Sequence, residues 1–153
     1  MPTSPSDAAA APRTSDEHGY VLDAQIGFVL RRAYQRNAAI FSATVPGGLT
    51  TTQFSVMHRL AEDGPMSQNL LGRSVAMDAA TTKGVVDRLA ARGLLATRRD
   101  PEDRRRHLVS LTAEGVALND EAVEAAKQVT AETLAPLTAR EQATLLRLLL
   151  KIA

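Results

Sequence analysis

Residues 66–111 read MSQNLLGRSVAMDAATTKGVVDRLAARGLLATRRDPEDRRRHLVSL, and this stretch decides the fold. Its first half predicts two short amphipathic helices. Ser67 stands where an N-cap belongs, ahead of the apolar Leu70, Leu71 and Val75. After a brief connection at Ala76-Met77, Asp78 caps a second helix that Gly93 stops. Helical spacing puts Thr82, Val85, Val86 and Leu89 on its inward face, with Ala79, Ala80, Lys83 and Gly84 toward the opposite side. Two short strands follow, Leu95–Arg99 and His107–Leu111, and Asp100-Pro101 starts a turn between them. Arg98–His107 carries five arginines and three acids within ten residues, so the tip of the hairpin is densely charged. An isolated charge run is most often a solvated loop, and its neighbours must decide otherwise.

Working outward, Tyr20 to about Val45 predicts a long helix, with Ile26, Leu30, Ala33, Tyr34, Asn37, Ile40 and Phe41 on one face and Pro46-Gly47-Gly48 as its stop. LTTTQFSVMHRLAEDG opens with a capping box, Thr50 with Gln53, and Gly64-Pro65 ends that helix. Downstream, Thr112 caps a helix to about Leu134. A second capping box, Thr138 with Glu141, opens a final helix rich in leucine. The order helix, helix, helix–turn–helix, β-hairpin, helix, helix is mainly α with a small β-hairpin: a winged helix-turn-helix. The final helix is apolar around most of its circumference, which requires a partner surface. A homodimerisation domain built from the N- and C-terminal helices is therefore expected. The division is a disordered arm at 1–19, a DNA-binding lobe at 49–111, and dimerisation helices at 20–48 and 112–153.

Bulk properties narrow the class. A chain of 153 residues suits one domain, and the absence of cysteine excludes disulfides and thiolate zinc sites. No apolar run approaches the roughly 18 residues of a membrane span. The N-terminal MPTSPSDAAAAPRTSDEHG has no secretory-signal pattern, so a cytoplasmic location is expected. The net charge of +1 is unevenly spread. Residues 66–111 hold nine Lys/Arg against five Asp/Glu, whereas both flanks are mildly acidic. A basic middle is suited to a polyanion. Enzymatic readings lack support: there is no glycine-rich phosphate loop, and His18, His58 and His107 are scattered.

The paired helices can read DNA if the second enters the major groove by its N-terminal end. Ala79, Ala80 and Thr81 are small enough for close approach, and an Ala or Thr methyl can meet a thymine methyl. Lys83 can reach a guanine or a phosphate. Ser67 and Gln68 suit phosphate contacts through hydroxyl, amide and backbone N–H, and Arg73 and Arg88 are further candidates. A helical hairpin with solvated polar faces is the plainer alternative. The charged tip favours DNA, because an arginine there can enter a narrow minor groove. Asp103 is expected to hold Arg105 extended across the turn, leaving Arg104 or Arg105 to meet DNA.

The segment GPMSQNLLGRSVAMDAATTKGVVDRLAARGLLATRRDPEDRRRHLVSLTAEG resembles the signature of the MarR (multiple antibiotic resistance regulator) family, above all in VDRLAARGLL, the DPEDRR turn and VSLTAEG. The resemblance extends from about Tyr20 to the end. It implies a homodimeric transcription factor on a pseudo-palindromic operator, often a repressor released by a small ligand. It also implies DNA contacts from the recognition helix and from Asp103-Arg104-Arg105. The chain departs from many relatives at Gly84, where they carry a longer polar or basic residue.

In that family effectors commonly bind between the dimerisation helices and the DNA-binding lobe. Phe28, Arg31, Arg32, Tyr34, Asn37, Phe41, Met57 and His58 are the candidates here. Their mixture of apolar walls, cations and hydrogen-bonding groups suits an aromatic carboxylate or its coenzyme A thioester. IGFVLRRAYQRNAAIF resembles the first helix of relatives that sense such acids. Plain core packing is the competing reading for Phe41 and Met57, a solvated or DNA-proximal face for Arg31 and Arg32, and a helix-face position for His58. No cofactor and no metal are expected, and the partners are double-stranded DNA, a second copy and the effector. The alternatives are a winged-helix protein-interaction module and an effector-independent DNA-binding protein.

Overall fold

A computed structural model of the chain describes Ala11 and residues 14–153. Most of the arm expected at 1–19 lies outside those residues, and its described end holds one helical turn, α1 (Ser15–His18). The described residues divide into a unit ending at Tyr34 and a unit spanning Gln35–Ala153. In the first, a 3₁₀ turn covers Leu22–Ala24 before α2 (Ile26–Thr44) begins. The helix therefore starts six residues later than Tyr20, the predicted start. Gln25 is extended, its N–H bonds to Leu22 O, and its side-chain amide donates to Val21 O. Val21 and Leu22 continue the apolar pattern without continuing the helix.

Within the second unit, α2 ends as predicted ahead of Pro46-Gly47-Gly48. Gly47 has φ +77°, and a Cβ there would lie 2.7 Å from Leu118 Cδ1. Then come α3 (Thr51–Asp63), β1 (Met66–Ser67), α4 (Gln68–Ser74), α5 (Ala79–Ala91), β2 (Leu95–Arg99), β3 (His107–Leu111), α6 (Ala113–Leu134) and α7 (Ala139–Leu149). Both predicted capping boxes form, Thr50 with Gln53 and Thr138 with Glu141. Val56, Met57, Leu60, Leu71, Val85, Val86, Leu89, Leu95, Val109, Ala122 and Val129 make one core from α3, α4, α5, the sheet and α6. Each of these side chains except the small Ala122 contributes about 1.5–3 kcal/mol relative to an exposed one.

The hairpin is larger than the sequence suggests. β1 pairs antiparallel with β3, giving a three-stranded sheet in the order β1-β3-β2. Met66 faces Val109, while β2 and β3 are in register from Leu95–Leu111 to Arg99–His107. The base of the hairpin is fastened to α6. Thr112 Oγ1 accepts from Gly115 N at 3.0 Å and donates to Gly93 O at 2.7 Å, and Thr112 N donates to Leu94 O. Gly115 permits this, since a Cβ would sit 2.1 Å from Leu94 O. No helix among the described residues is long and apolar enough to cross a membrane.

Candidate nucleic-acid interface

The helix–turn–helix is built around one close approach. In α4, Gly72 lies against α5: a Cβ there would meet Thr82 Oγ1 at 2.7 Å and Met77 O at 3.2 Å. Met77 N donates to Gly72 O at 2.9 Å, and Ala76 takes a left-handed φ of +55° to make the turn. A β-carbon at residue 72 would push the two helices apart. Gly72 was not singled out from sequence, although a glycine inside a seven-residue helix is costly enough to be a signal.

Caps then fix where α5 begins. Asp78 Oδ1 accepts from Thr81 N at 2.7 Å, and Asp78 Oδ2 accepts from Thr81 Oγ1 at 3.1 Å. The Thr81 amide, then its hydroxyl, hold the Asp78 carboxyl below the ordinary carboxylate value. Thr82, Val85, Val86 and Leu89 face the core as predicted, and Ala79, Ala80, Thr81 and Lys83 are exposed. Lys83 Nζ pairs with Asp87 at 2.6 Å, both well exposed. Such an i,i+4 pair is worth only about 0.3–0.5 kcal/mol, so a phosphate can displace Asp87 at little cost. Gly84 is half-buried because Arg88 folds back over it; a Cβ would lie 3.3 Å from Arg88 Nη1. Arg88 thus lies along the face that Lys83 and Gly84 present.

Ser67 and Gln68 stand together at the start of α4. Ser67 Oγ accepts from Leu70 N at 3.3 Å, so its hydroxyl caps the helix and leaves its own proton to donate outward. Gln68, Arg73 and Ala79 line one shallow cavity of about 200 Å³ with Asn69, Gly72 and Met77. The α4 start and the α5 start therefore share one surface.

At the wing tip Asp103 does hold Arg105, through the main chain: its Oδ1 accepts from the Arg105 backbone N at 3.0 Å. Asp103 O accepts from Arg106 N, and Asp100 N donates to Arg106 O, closing the turn through main-chain bonds. The turn geometry brings the nearest amide within reach of a short carboxylate and leaves the long guanidinium outside. Arg106 Nε lies 4.0 Å from Asp100 Oδ2. Arg104 and Arg105 are exposed and have no ion pair among the described residues. Two cations are thus left available at a tip whose backbone is fixed.

The proposed ligand residues fall in both units. In the first, Arg32 lies 3.5 Å from Asp23 and over the Phe28 ring at 5.9 Å. Phe28 and Arg31 line a cavity of about 330 Å³ with Tyr20, Leu22, Gln25, Ile26 and Gly27, and Tyr34 is exposed. In the second, Asn37 Nδ2 donates to Thr133 Oγ1 at 3.0 Å. Phe41 and Met57 are core residues, and His58 stacks on Phe54 with ring centroids 5.5 Å apart.

A helix–turn–helix with an exposed helix N-terminus beside a three-stranded wing defines a winged-helix protein. The comparisons agree. The MarR family model matches residues 49–107. The HTH-type transcriptional repressor NicR of Pseudomonas putida is 39% identical over 151 residues, 98% of this chain and 92% of NicR. A probable transcriptional regulator from Pseudomonas aeruginosa superposes with a TM-score of 0.84 at 50% identity, covering 87% of this chain and 100% of that one. Bordetella bronchiseptica BpsR, whose DNA binding is regulated by 6-hydroxynicotinic acid, has a TM-score of 0.81 at 44% identity, covering 87% and 96%. The chain belongs to the MarR family, whose members are transcriptional regulators and not enzymes.

Proposed function

We propose that two copies of this chain bind a pseudo-palindromic operator in the cytoplasm and repress transcription until a small acid releases them. The observation that carries this reading is the shared exposed surface of α4 and α5 beside a wing tip with two unpaired arginines. Ala79, Ala80, Thr81 and Lys83 read the major groove and Arg88 supports them. Ser67, Gln68 and Arg73 position the backbone, and Arg104 and Arg105 enter the minor groove, oriented by Asp103.

Dimerisation is supported by exposed apolar side chains in each unit taken separately. Tyr20, Leu22, Ile26 and Tyr34 are more than half exposed in the first, as are Leu150 and Ile152 in the second. So much exposed apolar surface at residues 20–48 and 112–153 is explained by a second copy covering it.

The effector is an aromatic carboxylate or its thioester. This draws on the cations and ring of the first unit (Phe28, Arg31, Arg32, Tyr34) or, in the second, on Asn37, Phe41, Met57 and His58. BpsR, similar along most of its length, supports the acid. Selection of binding duplexes from a random pool, followed by titration at rising salt, tests the function. A recovered inverted repeat bound with a steep salt dependence is expected. Recovery of no consensus, or affinity indifferent to salt, would contradict it.

A further inference from the structure

The end of α5 away from its groove-reading residues is fastened at three consecutive positions. Arg92 follows the last turn of the helix, and its guanidinium donates through Nη2 to the carbonyl of Gly47, 45 residues earlier in the chain. Gly93 O accepts from Thr112 Oγ1 at 2.7 Å, and Leu94 O accepts from Thr112 N at 3.1 Å. Gly47 in turn faces α6, its Cβ position lying 2.7 Å from Leu118 Cδ1. The contacts close a loop: from the α5 end to the turn after α2, on to α6, and back to the α5 end through Thr112.

The partners in that loop are the two links between the DNA-binding lobe and the rest of the second unit. Gly47 lies where the chain enters the lobe, between α2 and α3, and Thr112 lies where it leaves, between β3 and α6. Both stand in the segments assigned to the dimer, 20–48 and 112–153. Thr112 is held by its place next to the strand it follows. Arg92 is different, because only its long side chain carries α5 to the entry link. A charged donor on a carbonyl makes one of the stronger hydrogen bonds available to a side chain.

We propose that Arg92 is a positioning residue for operator recognition: by tying the end of α5 to the turn after α2, it sets the angle of the recognition helix to the dimer and so the half-site separation that the dimer accepts. The proposal rests on the dimeric operator reading above and adds a residue that touches no DNA in it. The lever is long enough. With 13 residues, α5 is about 20 Å long at 1.5 Å per residue. A rotation of about 10° about its Arg92 end carries the Ala79 end about 3.4 Å, the rise of one base pair. In a two-fold dimer both recognition helices move alike, so a small change of angle is read as a change of spacing. A cation at a helix C-terminus also favours the helix dipole, but that role alone affects stability and leaves spacing untouched.

Fluorescence anisotropy of the full chain tests this on a selected inverted repeat and on the same repeat with one base pair inserted or removed between its halves. The unaltered protein should prefer the selected spacing by about tenfold or more, since a one-base-pair shift puts a half-site out of register. Arg92→Ala should lower that preference severalfold, and Arg92→Lys, which keeps a cationic donor for Gly47 O, should restore most of it. The preference is a ratio measured on one protein preparation, so loss of folded protein cannot imitate its change. An equal ratio in the unaltered protein and Arg92→Ala overturns the proposal. So does a uniform loss across spacings with a salt slope lowered by about 1.8, the mark of a phosphate contact in each protomer. An unaltered protein that binds the repeat without regard to spacing overturns it and leaves the DNA-binding reading standing; one that selects no inverted repeat overturns both.

Discussion

Arg105→Ala is the most informative single change at the proposed interface. The Arg105 backbone is held by Asp103 and its side chain is exposed and unpaired, so the substitution breaks no intramolecular bond of that side chain. Its cost should appear in the complex alone. A charge-assisted hydrogen bond is worth about 1.5–3 kcal/mol, so losing one from each of two protomers costs roughly 3–6 kcal/mol, about 10²–10⁴-fold in affinity. The salt dependence gives a separate readout. A cation seated between the phosphates of a narrow minor groove releases counterions as a phosphate contact does, about 0.9 in the slope of log K against log salt, so a dimer should lose about 1.8. Fluorescence anisotropy on a selected duplex across a salt series measures both, with size-exclusion chromatography showing the oligomer unchanged. An affinity and slope equal to those of the unaltered protein would refute the wing assignment.

Three further outcomes follow from the packing. Gly84→Ala should stabilise α5 by about 1 kcal/mol, roughly 2–4 °C in Tm, and weaken DNA binding by displacing Arg88; tighter binding would show that Gly84 has no role in close approach. Gly115→Ala forces a Cβ onto Leu94 O and should cost about 2–3 kcal/mol, or roughly 4–12 °C, in a thermal melt; an unchanged Tm would contradict the tight wing–α6 junction. The third concerns pH. Because the native Asp78 pKa lies below its ordinary value of 3.8, the carboxylate stabilises the fold above that value, and the stabilisation is lost as pH falls through the lower native pKa. Asp78→Asn should therefore be less stable than the unaltered protein at neutral pH. The gap in urea midpoint should close on acidification, and a constant gap would remove the carboxylate's role.

What could be read from sequence was local. Thr50, Ser67, Asp78, Thr112 and Thr138 were legible because a cap bonds an amide three residues away, inside the reach of a short motif. The inward face of α5 was legible because its period repeats over the whole helix. β1 was not, since two residues carry no alternation and their pairing is set by distant Val109. The role of Asp103 was half legible: the acid does fix the tip, but only the folded turn decides between the Arg105 amide and its guanidinium.

Hydroxyl-radical footprinting of a selected operator puts the pairing of recognition helix and wing to its most direct test. Two symmetric sets of protected positions are expected, centred about 10–10.5 base pairs or a multiple apart, each with minor-groove protection that disappears in Arg105→Ala. One asymmetric patch, or a footprint that Arg105→Ala leaves intact, would contradict it.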